Sequence, residues 1–87
     1  MFILGSLISD FGDMTKVRDK KLLTQFGKHL RRVRIANGLS QEDLANDADI
    51  PINQIGRIER GEINPSLSTL NSIAKALQLK LNQLFEL

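Results

Sequence analysis

The gap between Ala48 and Ile52 constrains this chain more than any other feature. On its N-terminal side, Leu44, Ala45 and Ala48 recur at helical spacing behind Ser40, with Asp43 three positions after the serine, an S-x-x-D capping signature. On its C-terminal side, Pro51 supplies a fixed φ near a helix start, Ile55 and Ile58 mark an inward face, and Gly61 ends the element. Only three to four residues remain to join the two helices. A link that short forces them to cross at a steep angle, the geometry of a helix-turn-helix unit.

The flanking segments read the same way. Leu23, Phe26, Leu30 and Val33 form one buried stripe on a helix of about three turns, closed by Asn37-Gly38 as a left-handed cap. Asn64-Pro65 makes a turn and Ser66 a cap, and Leu67, Leu70, Ile73, Ala74 and Leu77 lay down a further stripe. Leu81, Leu84 and Phe85 suggest a last short helix. No run of alternating β-branched residues occurs, so the expected class is all-α, with five short helices and no sheet.

Eighty-seven residues make one domain with a modest core. The expected division is an N-terminal arm over 1–22, flexible or dimer-forming, and a helical domain over 23–87, with the helix-turn-helix at about 41–60. Residues 1–9 are largely apolar but interrupted by Gly5 and Ser6. They lack the basic start and cleavage site of a secretory signal, and nothing approaches the ~20 apolar residues that span a membrane. Their apolar side chains need cover, from a second subunit for example; alternatively they are an upstream extension, with Met14 a second possible start. The expected setting is cytoplasmic, away from membranes.

Absence of cysteine removes disulfides and thiolate metal sites, and the lone His29, read as a surface residue, cannot organise a metal. No cofactor or metal is expected. Neither a Ser/His/acid set nor a glycine-rich phosphate loop can be assembled, so the chain does not read as an enzyme. Net charge is only +2, yet eight of the twelve Lys and Arg fall between positions 16 and 34. That mild basic bias is compatible with a polyanionic partner. Lys28, Arg31 and Arg32 read as a solvated face of the first helix.

With Ile55 at zero on a helical wheel, Asn53, Gly56, Arg57 and Arg60 fall on the opposite side, a narrow polar and cationic face. Asn can pair bidentately with adenine, and Arg with guanine O6 and N7. Asn53 and Arg57, four apart, project side by side. Ile52 lies at the edge, where it either meets a thymine methyl or packs beneath the turn. Gly56 costs about 1 kcal/mol relative to Ala in a helix interior; a missing side chain there would let the backbone approach a duplex.

Two charges point inward: Arg34 lies within about 40° of Leu30, and Glu59 within about 40° of Ile55. An Arg and a carboxylate that meet can offset the burial of each, so an Arg34–Glu59 ion pair is predicted. Gln41, directly after the Ser40 cap, lies at a helix N-terminus, where unsatisfied amides favour a phosphate. Glu42 and Asp43 beside it should point aside.

Residues 26–85 resemble the Cro and phage-repressor helix-turn-helix family, also called the xenobiotic response element type. The likeness rests on Leu39-Ser40-Gln41-Glu42-Asp43-Leu44-Ala45, on Ile55-Gly56-Arg57-Ile58-Glu59-Arg60-Gly61-Glu62, and on Asn64-Pro65-Ser66-Leu67 with Leu70 and Ile73-Ala74-Lys75-Ala76-Leu77. It implies a five-helix, lambda-repressor-like DNA-binding domain. It further implies that Ile52, Asn53 and Arg57 occupy base-reading positions, that Gln41, Gln54, Arg60 and Asn64 contact the DNA backbone, and that Arg34 and Glu59 form a recurrent buried pair. Three departures stand out: Asp49 where the turn usually has Gly, Pro51 in place of a polar cap, and apolar Ile52 at a reading position.

The function so implied is that of a sequence-specific regulator of transcription, repressor-like, acting on double-stranded DNA. It would be a homodimer on a pseudo-palindromic operator, joined through the last helix, the apolar arm, or both. The competing reading is an antitoxin-like or co-activator-like module whose chief contact is another protein and which also binds DNA.

Overall fold

The computed structural model describes residues 18–87; of the arm proposed over 1–22, residues 1–17, with its apolar stretch, lie outside them. Five helices follow in order: α1 Lys20–Ala36, α2 Gln41–Ala48, α3 Ile52–Glu59, α4 Leu67–Ala76 and α5 Leu81–Leu84. Among the described residues there is no strand.

Local chemistry sets each start. The Asp19 carboxylate accepts from the Leu22 amide at 2.9 Å, so α1 begins before the predicted stripe and runs for 17 residues rather than about three turns. Lys20 and Lys21 are no obstacle, because their side chains are exposed on its first turn. In α2, the Ser40 hydroxyl accepts from the Asp43 amide at 3.0 Å, and the Asp43 carboxylate accepts from the Ser40 amide at 2.9 Å, a complete capping box. Ser66 caps α4 by accepting from the Thr69 amide at 3.1 Å. α3 opens on Pro51 without a side-chain cap, and at α5 the Gln83 side chain accepts from the Lys80 amide at 2.8 Å.

The first four helices end alike. A residue with positive φ follows the last turn: Gly38 (72°), Asp49 (58°), Gly61 (72°) and Gln78 (59°). The next amide then reaches back to an orphan carbonyl: Leu39 to Arg34 at 3.2 Å, Ile50 to Ala45 at 2.9 Å, Glu62 to Arg57 at 2.9 Å, and Leu79 to Ala74 at 2.8 Å. This is the Schellman arrangement, which turns the chain sharply while satisfying the helix end. Asp49 adopts the left-handed conformation in place of glycine, as a short polar side chain can.

The core is a single cluster built on Leu30, Leu44, Ile55, Ile58, Ile73 and Leu84, all essentially sealed from solvent, with Phe26, Ala45, Ala48, Ala74 and Leu77 around them. Burial of each large side chain is worth about 1.5–3 kcal/mol. Leu67 departs from its predicted stripe: it is 67% exposed, because it is the first residue of α4, before that helix meets the core. Phe85 lies half out, its ring tilted against Phe26 at a centroid distance of 6.0 Å.

α3 packs against α1 and α2, and the contact with α1 is unusually close. A Cβ on Gly27 would stand 2.4 Å from the Glu59 carbonyl oxygen and 2.5 Å from that of Ile58. Only a residue without a side chain fits there. Gly61 meets Thr24 in the same crossing, with 2.9 Å between its would-be Cβ and the Thr24 Cα. No helix of the described residues is long and apolar enough to cross a membrane.

Candidate nucleic-acid interface

The two sides of α3 differ sharply in chemistry. Ile55 and Ile58 are sealed in the core, whereas Ile52 (49% exposed), Asn53 and Arg57 lie open on the opposite side, with Arg60 open at the helix end. Asn53 and Arg57, one turn apart, share that open face. Gln54 is half-buried at its margin. Asn64 is exposed in the following loop, where it lines an apolar cleft with Pro65, Leu22 and Phe85.

A polar network fixes the inner edge. Arg34 Nε donates to Glu59 Oε2 at 2.6 Å, Arg34 Nη2 donates to Glu59 Oε1 at 3.0 Å, and Arg34 Nη1 donates to the Leu39 carbonyl at 2.8 Å. The bidentate bond to Glu59 raises the guanidinium pKa above its ordinary value despite the opposing effect of burial. Both side chains are nearly sealed, so the charges persist only because they meet. Gln41, at the first turn of α2, adds a third bond: its Nε2 donates to Glu59 Oε1 at 3.1 Å. The amide predicted to hold a phosphate therefore spends one donor on the core, and Gln41 is half-buried.

Gly56 is not the open surface position that the helical wheel indicated. It is buried, and a Cβ there would meet Arg60 Nη1 at 3.0 Å and Gln41 Oε1 at 3.5 Å. Its missing side chain makes room for those two side chains, not for an approaching backbone. His29 also differs from its reading as a surface residue: it is half-buried, and its Nε2 is enclosed without a hydrogen-bond partner.

A helix-turn-helix family profile matches residues 30–84, more than half of the chain, including the Arg34–Glu59 pair, Gln41 and all of α3. The chain belongs to the Cro/C1-type helix-turn-helix family. Family members are DNA-binding transcription regulators, not enzymes. Among curated relatives, the HTH-type transcriptional regulator DdrOP3 of Deinococcus deserti is 37% identical over 59 residues, covering 68% of this chain and 46% of its own. The chain thus spans about half the length of that relative. Control protein C.BamHI of Bacillus amyloliquefaciens is 37% identical over 62 residues, 70% of this chain and 76% of its own. Among solved structures, the restriction-modification controller protein C.AhdI of Aeromonas hydrophila superposes with a TM-score of 0.71 at 41% identity, covering 72% of this chain and 96% of its own.

Within this family frame, Ile52, Asn53 and Arg57 come together on the open side of α3, and Gln41 and Arg60 meet over Gly56. Asn64 stands apart from both groups, in the loop beside the apolar cleft. Two residues beside the helix-turn-helix face escaped the sequence reading. Gly27 lets α1 and α3 approach closely; its signal was a glycine inside a buried helical stripe, costly unless backbone must approach. Glu62, three residues past the end of α3, is returned by the Gly61 turn to the open face, where its carboxylate meets Arg60 at 2.6 Å.

Proposed function

We propose that this chain binds duplex DNA sequence-specifically as a repressor-like regulator of transcription, with α3 in the major groove. The observation that carries this reading is the division of α3: one side is locked to α1 and α2, and the other leaves Asn53 and Arg57 free of the core. In the major groove, Arg57 would read guanine, Asn53 adenine, and Ile52 a thymine methyl. Gln41, Gln54, Arg60 and Asn64 would contact phosphates that fix the register.

Selection of bound sites from random DNA tests the reading directly. The selected sites should contain two related half-sites, about 34–36 Å apart along the duplex, if two copies act together. Arg57→Ala should relax the preference at one base position, by about 1–3 kcal/mol. A protein that retains duplexes without enriching any sequence, or that ignores duplex DNA in dilute salt, would end the proposal.

Association as a homodimer has its own support. An apolar cleft of about 390 Å³, lined by Leu22, Leu23, Phe26, Phe85 and Leu87, opens between α1 and the C-terminal residues, where Leu22, Phe85 and Leu87 are each exposed by two fifths or more. Exposed apolar surface of this kind marks contact sites between chains. Sedimentation of the full chain, with Phe85→Asp as the disrupted variant, measures whether it pairs copies of this protein.

A further inference from the structure

Residue 62 gathers three arginines, two from the end of α3 and one from the segment before α1. Arg60 Nε donates to Glu62 Oε2 at 2.6 Å, with Arg60 Nη2 at 3.4 Å from Oε1. Arg57 Nε stands 3.8 Å from the same Oε1, a contact between charges too long for a hydrogen bond. Arg18 Nη2 donates to the Glu62 carbonyl oxygen. The carboxylate is placed by backbone geometry: the Gly61 turn directs the Glu62 amide onto the Arg57 carbonyl at 2.9 Å, so the side chain lies beside the last turn of α3.

An acid at this spot opposes simple attraction to phosphate, since it neutralises charge on the face that would meet a polyanion. Its contacts suggest a different use. Glu62 approaches Arg57 through Nε, which leaves the two terminal nitrogens of Arg57 free, and that terminal fork is a pair able to bond guanine O6 and N7. Arg60, by contrast, gives Nε and Nη2 to the carboxylate. The two arginines also lower the Glu62 pKa, Arg60 chiefly through its hydrogen bond.

We propose that Glu62 is a positioning residue for specificity: it orients Arg57 toward a base and holds Arg60 away from phosphates until docking, which weakens binding to unselected DNA and sharpens choice of site. This rests on the reading of α3 as the DNA-reading helix. Without the carboxylate, Arg57 is free to swing to a phosphate, a contact that every sequence offers.

The test compares wild-type, Glu62→Gln, Arg57→Ala and the double variant of the full chain. Each is titrated against a labelled duplex carrying the selected site and one of scrambled sequence, over a range of salt. Glu62→Gln should bind the scrambled duplex more tightly, with a salt slope steeper by about 0.9 for each phosphate contact that Arg57 or Arg60 gains. Its preference for the selected site should fall at least about threefold, a part of what one arginine–guanine pair supplies. In the Arg57→Ala background, the same substitution should lower the preference by less, since only the restraint on Arg60 is left to lose. A purely structural role would shift the melting temperature instead, and Glu62→Gln should melt like wild type.

The failures separate. Wild type that shows no preference between the duplexes overturns the DNA-reading assignment itself. Wild type that discriminates while Glu62→Gln keeps the same ratio overturns only the role of Glu62. An equal loss of preference with and without Arg57 overturns the route through Arg57.

Discussion

Two arginine–glutamate pairs flank α3, and each closes with an Nε–Oε2 distance of 2.6 Å. Arg34–Glu59 has side-chain exposures of 9% and 3%, whereas Arg60–Glu62 has 58% and 47%. Equal length does not mean equal contribution. The inner pair is shielded from water and salt, and either partner alone would be a stranded charge. The outer pair is screened, and water can replace it at little cost. One pair therefore fixes how the helices sit, and the other is free to be exchanged for a ligand.

Breaking the inner pair should give the largest effect. Glu59→Ala leaves Arg34 buried with only the Leu39 carbonyl and should cost about 3–5 kcal/mol in urea denaturation. A cost below about 1 kcal/mol, typical of a surface pair, would erase the distinction between the two.

Gly27 in α1 and Gly56 in α3 sharpen the contrast, with opposite signs expected. Gly27→Ala drives a methyl into the Ile58 and Glu59 carbonyls, which are backbone and cannot step aside, so a loss of about 1–3 kcal/mol is expected. Gly56→Ala meets only the tips of Arg60 and Gln41, and should be neutral or gain up to about 1 kcal/mol from helix propensity. Thermal melts of the two variants side by side decide the matter.

Acidification should give the smallest effect. The bond from the Ser40 amide lowers the Asp43 pKa. A carboxylate lowered in the folded state stabilises it fully above the ordinary carboxylate range, and that contribution fades as pH falls through the lowered value. Melting temperature should therefore decline from neutral pH to about pH 3, and Asp43→Asn should decline less. An identical acid profile in the variant would remove Asp43 from the balance.

Helix ends were the most legible part of this fold, because their signals are local. Ser40 with Asp43, Ser66, and the turns at Gly38 and Gly61 each act within a few residues, and each was readable from type and spacing. Arg34 and Glu59 were readable because a charge on an apolar stripe has few ways to survive. Gln78 was not: it takes a left-handed φ of 59° without belonging to the residue types that favour it. Gly27 depends on a contact with α3, distant in sequence, which no local pattern contains. Gly56 failed for a narrower reason, since a residue a quarter-turn from the buried centre can be covered by long side chains from its neighbours. The open face was legible as a set of side chains, but the return of Glu62 onto it required the turn geometry.

The abutment of Gly27 on the Ile58 and Glu59 carbonyls lets main-chain atoms limit how closely two rods approach. Side chains on the far side of the second rod take no part in that limit. Ile52, Asn53 and Arg57 can thus be randomised together with little penalty to folding, so the scaffold should tolerate libraries at these three sites and acquire new targets without being rebuilt.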